Sequence, residues 1–165
     1  MSVFPLLEFK GCTASTNQGK YSCTKAYDGI TYTKDNGWGV YSASSTAWAI
    51  FVLKWKSSIN NIVLVSGQKR PDNRLVSFKV TIKANNKWII PLGLSIREDT
   101  NAQIGSDGTI TLTHGLHVFH LDFNLIANAQ SIRLDVTKTD APNNKLVLNE
   151  IIPNFFKGKY KQKFS

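Results

Sequence analysis

The chain has 165 residues, of which 42% are hydrophobic and 19% charged, the proportions of one ordinary globular domain with a core large enough to stand without many cross-links. No apolar run is long enough to span a bilayer as a helix, and two cysteines are too few for a disulfide framework or a four-thiolate zinc site. The formal net charge of +9 makes anionic partners plausible, namely acidic glycans, phospholipid head groups or nucleic acid, without choosing among them.

The opening "MSVFPLLEFKGC" lacks the basic n-region and long apolar h-region of a secretion signal. Cys12 and Cys23 follow closely; they either close a short loop as a disulfide or stay as two partly buried thiols. At residues 25–33, "KAYDGITYT" puts an aspartate directly before a glycine, with a threonine five residues beyond. Asp-Gly by itself marks a turn, because Asp bonds nearby backbone and Gly accepts positive φ.

From there alternation dominates. "AIFVLKW" places Phe51, Leu53 and Trp55 on one face, and "VSFKVTIKA" sets Val76, Phe78, Val80 and Ile82 against Ser77, Lys79, Thr81 and Lys83. "TITLTH" alternates Ile110 and Leu112 with threonine, and "SIRLDVT" aligns Ile132, Leu134 and Val136. This period of two belongs to antiparallel strands with one face buried. The pieces between them, "KDNGWG", "KRPDNR", "KANNKW", "GSDG" and "DAPNNK", carry turn chemistry. With no sustained helical periodicity, the expected fold is all-β, an antiparallel β-sandwich of jelly-roll type. Trp48, Trp55 and Trp88 fall in or beside strands and are expected as core or rim packing.

"HGLHVFH" spaces His114, His117 and His120 regularly. On one strand the outer pair lie roughly 20 Å apart at about 3.3 Å per residue and the middle one points the other way, so they cannot gather on one ion. Ordinary strand histidines are expected. There is no nucleophile elbow, phosphate-cradling glycine loop or CxxC, and nothing places Glu98, Asp99 or Asp107 in a pair suited to glycoside hydrolysis. A non-catalytic protein is expected. The sandwich is assigned to 1–154 and a basic tail to 155–165, where Lys157, Lys159, Lys161 and Lys163 alternate with Gly158, Tyr160, Gln162 and Phe164.

Late in the chain "KLVLNEI" ends an alternating strand in Asn149 and Glu150. Calcium takes six to eight oxygens, and Asp28 and Glu150 could be its two carboxylates, with Thr33 offering a carbonyl and a hydroxyl. Equally, the early turn could be empty and Glu150 could face solvent.

The order "AYDG…T…GW", then "NNIVLVSGQKRPDNRLVSFKVTI…W", then "SIRLDVT…LVLNEI" resembles the discoidin or coagulation factor 5/8 type C family, from about Thr13 to Ile152. It is also similar to family-32 carbohydrate-binding modules, which share the galactose-binding-like jelly roll. The resemblance implies a structural calcium ion tying the early loop to the last strand. Its ligands would be the carbonyls of Lys25 and Ile30, the Asp28 carboxylate, the carbonyl and hydroxyl of Thr33, the carbonyl of Asn149 and the Glu150 carboxylate.

The resemblance further implies a lectin-like module, extracellular or at a cell surface, that recognises a glycan or glycoprotein through loops at one end of the sandwich. In "GQKRPDNRL", Arg70 and Asn73 resemble the pair with which sugar-binding members grip hydroxyls, and Arg74 lies beside them. Tyr41 and Trp38 are the aromatic candidates for stacking on a sugar, Trp38 being the more suited to the core. Sugar-binding members often carry a histidine where this chain has Gly39, which argues against galactose but not against glycans in general. Two other readings stay open: a protein–protein interaction module of a larger assembly, and an electrostatic binder of acidic lipid or sulfated polysaccharide. The clustered basic and aromatic residues of a nucleic-acid reader are not evident.

Overall fold

The computed structural model describes residues 7–15, 21–29, 37–40, 47–67, 74–140 and 146–157. Among them are ten strands, β1 (Phe9–Ala14), β2 (Trp38–Val40), β3 (Ala47–Ser66), β4 (Leu75–Ala84), β5 (Lys87–Ile89), β6 (Ser95–Ile96), β7 (Gln103–Ile104), β8 (Thr109–Thr111), β9 (Val118–Thr139) and β10 (Leu146–Asn154). A 3-10 turn spans Cys23–Ala26. The fold is all-β, and every strand pairing among the described residues is antiparallel.

Strands run in the order β2-β10-β3-β9-β4-β8-β7, with β1 on β3, β5 on β4 and β6 on β9. The hydrogen-bonded network is continuous, yet it forms two layers because its two longest strands bend. Between β3 and β9 the register shifts from Val52↔Ser131 to Ser57↔Ala129 and again to Ile59↔Ile126. Such bulges let one strand turn a corner and continue in the facing sheet. The early part of β3 and late part of β9 therefore join β1 and β4, while the late part of β3 and early part of β9 join β10 and β6.

The core lies between the layers. Phe51, Phe78, Val80, Ile82, Ile132 and Leu134 from one side and Ile62, Leu64, Phe119, Leu121 and Leu148 from the other are all fully buried, and the rings of Phe78 and Phe119 meet across the gap at 5.7 Å. The alternation read in β4 and late β9 is borne out from Phe78 to Ile82 and from Ile132 to Val136, but not at Val76, which is half-buried where the register with β9 shifts and Leu75 takes the core position instead. It fails at Trp55, which is 60% exposed although Phe51 and Leu53 are buried: the irregularity after Val52 turns the chain before the pattern reaches the indole. Trp88 is also exposed, on the short hairpin strand β5, whereas Trp48 is half-buried under the Arg133 guanidinium at 4.9 Å.

The turn in "KANNKW" has φ of 52° at Asn85 and 63° at Asn86. Positive φ at both central residues matches the right-handed twist of the strands it joins, and asparagine tolerates it. Gln130 on β9 holds this turn, its Oε1 accepting from the Asn86 amide at 2.8 Å. At the other end of the chain, Phe156 is tied to Asn60 by two hydrogen bonds.

Candidate functional site

Two features meet near the end of the sandwich where β3 stops and β4 and β10 begin. The first is the early turn against β10. Cys12 on β1 and Cys23 form a disulfide, which settles the alternative left open by the sequence. Tyr27, next after the 3-10 turn, packs edge-on against Phe9 and Phe51 at 5.6 and 6.2 Å. The turn is thus fixed from both sides, and Asp28 and Gly29 follow directly, Gly29 in the left-handed region at φ +80°.

On β10 the pairing with β3 shifts between Leu148↔Ser66 and Glu150↔Val65, so Asn149 is the extra residue of a bulge. Bulges re-aim side chains, and here Glu150 turns to the early loop: its Oε2 accepts from the Gly29 amide at 3.3 Å. Glu150 does not face solvent, being 5% exposed. Burial pushes its carboxyl up to about 7, and the neighbouring Asp28 carboxylate adds to the rise while the Gly29 amide opposes it. Its Oε1 is buried and has no hydrogen-bond partner.

Two carboxyl groups brought together this way, one with an unsatisfied buried oxygen, suit a hard cation better than they suit each other. Lys25, Asp28, Asn149 and Glu150 all lie at this junction, while Ile30 and Thr33 fall outside the described residues. No group of three or more His, Cys, Asp or Glu side chains able to hold a metal forms among the described residues. The expected ligand set contains only two such side chains and draws its remaining oxygens from backbone carbonyls and a threonine.

The second feature is the platform under the loop between β3 and β4. Ser66 donates from its amide to the His117 carbonyl at 2.8 Å, and its hydroxyl donates to Leu116 at 3.2 Å and accepts from the Leu75 amide at 3.3 Å. Gly67 donates to Val147 at 3.0 Å. Arg74 and Asp140 clasp each other, the Arg74 amide donating to the Asp140 carboxylate at 2.8 Å and the Asp140 amide to the Arg74 carbonyl at 3.0 Å. Arg74 Nε donates to the Gly67 carbonyl at 3.2 Å, so this side chain braces the base of the loop.

Arg70, Asn73 and Tyr41 lie outside the described residues. Trp38 is fully buried on β2, so its ring packs in the core and offers no stacking face. Gly39 has a physical reason to be glycine: a Cβ there would sit 2.8 Å from Cβ and Cγ of Tyr21. Tyr21 occupies the room a larger residue would need, a contact between separated segments that sequence reading missed. Of the three histidines expected on a strand, only His120 stands on one, β9, while His114 and His117 lie in the loop before it; their partners are ordinary, His114 with Thr113, His117 with the Ser66 carbonyl and His120 with Glu98.

No protein-family model matches the chain, and no curated protein does. Solved structures do. A chitosan-binding module of a chitosanase/glucanase from Paenibacillus sp. IK-5 is 16% identical with a TM-score of 0.66, over 90% of this chain and 96% of that one. A pectin-binding carbohydrate-binding module is 22% identical with a TM-score of 0.65, over 90% and 92%. The family-32 module of AlyQ, in complex with 4,5-unsaturated mannuronic acid, is 14% identical with a TM-score of 0.64, over 93% and 100%. At these identities the likeness defines the fold, the jelly roll of carbohydrate-binding modules.

Proposed function

We propose that the chain is a non-catalytic, calcium-stabilised carbohydrate-binding module whose ligand is held by the loops at the β3–β4 end of the sandwich. The observation that carries this reading is the platform under the loop: Ser66, Gly67, Arg74 and Asp140 fix both ends of "GQKRPDNRL", the loop that holds Arg70 and Asn73. Forked donors on a braced turn suit sugar hydroxyls and carboxylates. Arg74 braces the base of the loop through the Gly67 carbonyl, and Tyr41 is the candidate for stacking. The fold shared with chitosan-, pectin- and mannuronate-binding modules supports a glycan as ligand. With a net charge of +9, the chain suits the acidic members of that set, pectin-like and uronate glycans, better than a polyamine such as chitosan.

Calcium fits the residues at the junction. Asp28 and Glu150 would supply carboxylates, Thr33 its hydroxyl and carbonyl, and Lys25, Ile30 and Asn149 carbonyls. The ion would neutralise the two acids and join the first loop to the last strand, a structural task. The disulfide favours an oxidising location, outside a cell or on its surface. No helix among the described residues is long and apolar enough to cross a membrane.

A glycan array probed with calcium-loaded protein at physiological salt, and again at about three times that salt, tests the proposal. Discrete hits that survive salt and disappear in Arg70→Ala or Asn73→Ala are expected. Silence would sink the lectin reading and favour a protein partner. Signal on every polyanion that salt erases would replace it with non-specific charge binding.

A further inference from the structure

We propose that the groove at the opposite end of the sandwich, between the β4–β5 hairpin and β9, binds a single-chain anionic amphiphile, its alkyl chain along the aliphatic lining and its head at Lys87. The groove encloses about 790 Å³ and is walled by Ile89, Ile90, Leu92, Leu125 and Ile126, a size that accommodates a small ligand. Four of these are exposed, Leu92 at 73%, Leu125 at 51%, Ile90 at 39% and Ile89 at 37%. Large apolar side chains gathered in one exposed concavity mark a binding site more often than chance surface composition.

The walls are built rather than loose. The Asn124 amide donates to the Leu92 carbonyl at 2.8 Å. Gly93, at φ +68°, lies so close to Asn124 that a Cβ would meet its Oδ1 at 2.6 Å, and a Cβ on Gly108 would meet Ile90 at 2.7 Å. The wall that carries Leu92 is thus tied to β9 by a backbone hydrogen bond and packed closely against Asn124, and Ile90 is packed against Gly108. It is also remote from the loop platform: β4 runs from Leu75 at that end to Ala84 at this one, roughly 30 Å at about 3.3 Å per residue.

The lining chooses among occupants. No aromatic ring lines the groove, so a pyranose has no face to stack on. One cation and no cluster of donors rules out a multiply charged phosphate ligand. Aliphatic walls suit methylenes, and Lys87 is the one charged residue of the lining; no ion pair among the described residues neutralises it. A carboxylate or sulfate head complements that ammonium, with the amides of Asn85 and Asn124 as neighbouring polar groups.

The test titrates the full chain with octanoate, decanoate and dodecanoate below their micellar concentrations, beside alkyltrimethylammonium ions of equal length, by calorimetry. Affinity should rise three- to fourfold per methylene until the groove is filled, and carboxylates should bind more tightly than the cations. Lys87→Gln should erase the head preference and keep the chain-length slope. Leu92→Asn with Leu125→Asn should flatten the slope while thermal unfolding is unchanged, since both side chains are exposed. A slope that survives the leucine changes, or no slope at all, overturns the proposal. So does binding to anionic vesicles without binding to monomeric amphiphile, which would make the groove a bilayer contact. Self-association in sedimentation that the leucine changes abolish would assign it to a second copy of the chain and equally overturn it.

Discussion

Glu150 holds an acid in a place where ionisation is costly, and the direction of its effect on stability follows. Its carboxyl rises from an ordinary value near 4.5 to about 7 in the fold, so between those values the unfolded chain releases a proton that the folded chain keeps. Without a cation the folded state should lose stability as pH rises through that window, by on the order of 3 kcal/mol at most. Below it both states are protonated and the difference vanishes. In chelator the melting temperature should therefore fall from about pH 4.5 to about pH 7, and calcium should reverse the fall by binding the ionised pair. Glu150→Gln should flatten the chelator profile and remove the calcium response; a calcium response that persists in this variant would place the ion elsewhere. At Gly39 the expectation is steric. Gly39→His should drive a side chain into Tyr21 and destabilise the protein by about 1–3 kcal/mol. Tyr21→Ala in the same chain should recover part of that loss, and thermal unfolding of the two single variants and the double variant measures the coupling.

Among the elements, the disulfide and the β4–β5 turn carry the clearest expectations. The bond spans a sequence separation of 11, and opening it with Cys12→Ala and Cys23→Ala should cost roughly 3 kcal/mol through the unfolded chain. Because the same bond fixes the turn before Asp28, calcium affinity should weaken in step. At Asn86, a β-branched valine would be forced into the left-handed region at about 1–2 kcal/mol, whereas glycine should be near neutral; denaturant midpoints separate the two. β4 was legible in the sequence because its register with β9 holds from Phe78 to Lys83, and an unbroken ladder preserves alternation. The same reasoning misplaced Trp55, since a bulge interrupts the period without changing residue types. Of the candidate site, the Asp-Gly turn and the acid of β10 were visible as residues, but their meeting was expected only through the family resemblance, because Asp28 and Glu150 come together through the antiparallel return of the chain and no local pattern encodes that. The contact of Tyr21 with Gly39 and the groove beside Lys87 depend on packing between distant segments, and no local pattern announces them.

At the scale of the whole molecule, charge and architecture act separately. A net charge of +9 accelerates encounter with polyanions and does so less at high salt, so the association rate for an acidic glycan should fall with ionic strength more than the dissociation rate changes. Stopped-flow measurements at two salt concentrations check this. A rate of association insensitive to salt would mean that the charge plays no part in recognition. The architecture has a different consequence, which lies in how β3 and β9 serve both layers. Two sheets joined only by loops can open like a book, each layer fluctuating on its own. Here any separation must break the ladder that runs through both corners, so the amides of Phe51 and Leu64, on opposite sides of the bend, should exchange with solvent deuterium at matched free energies near that of global unfolding.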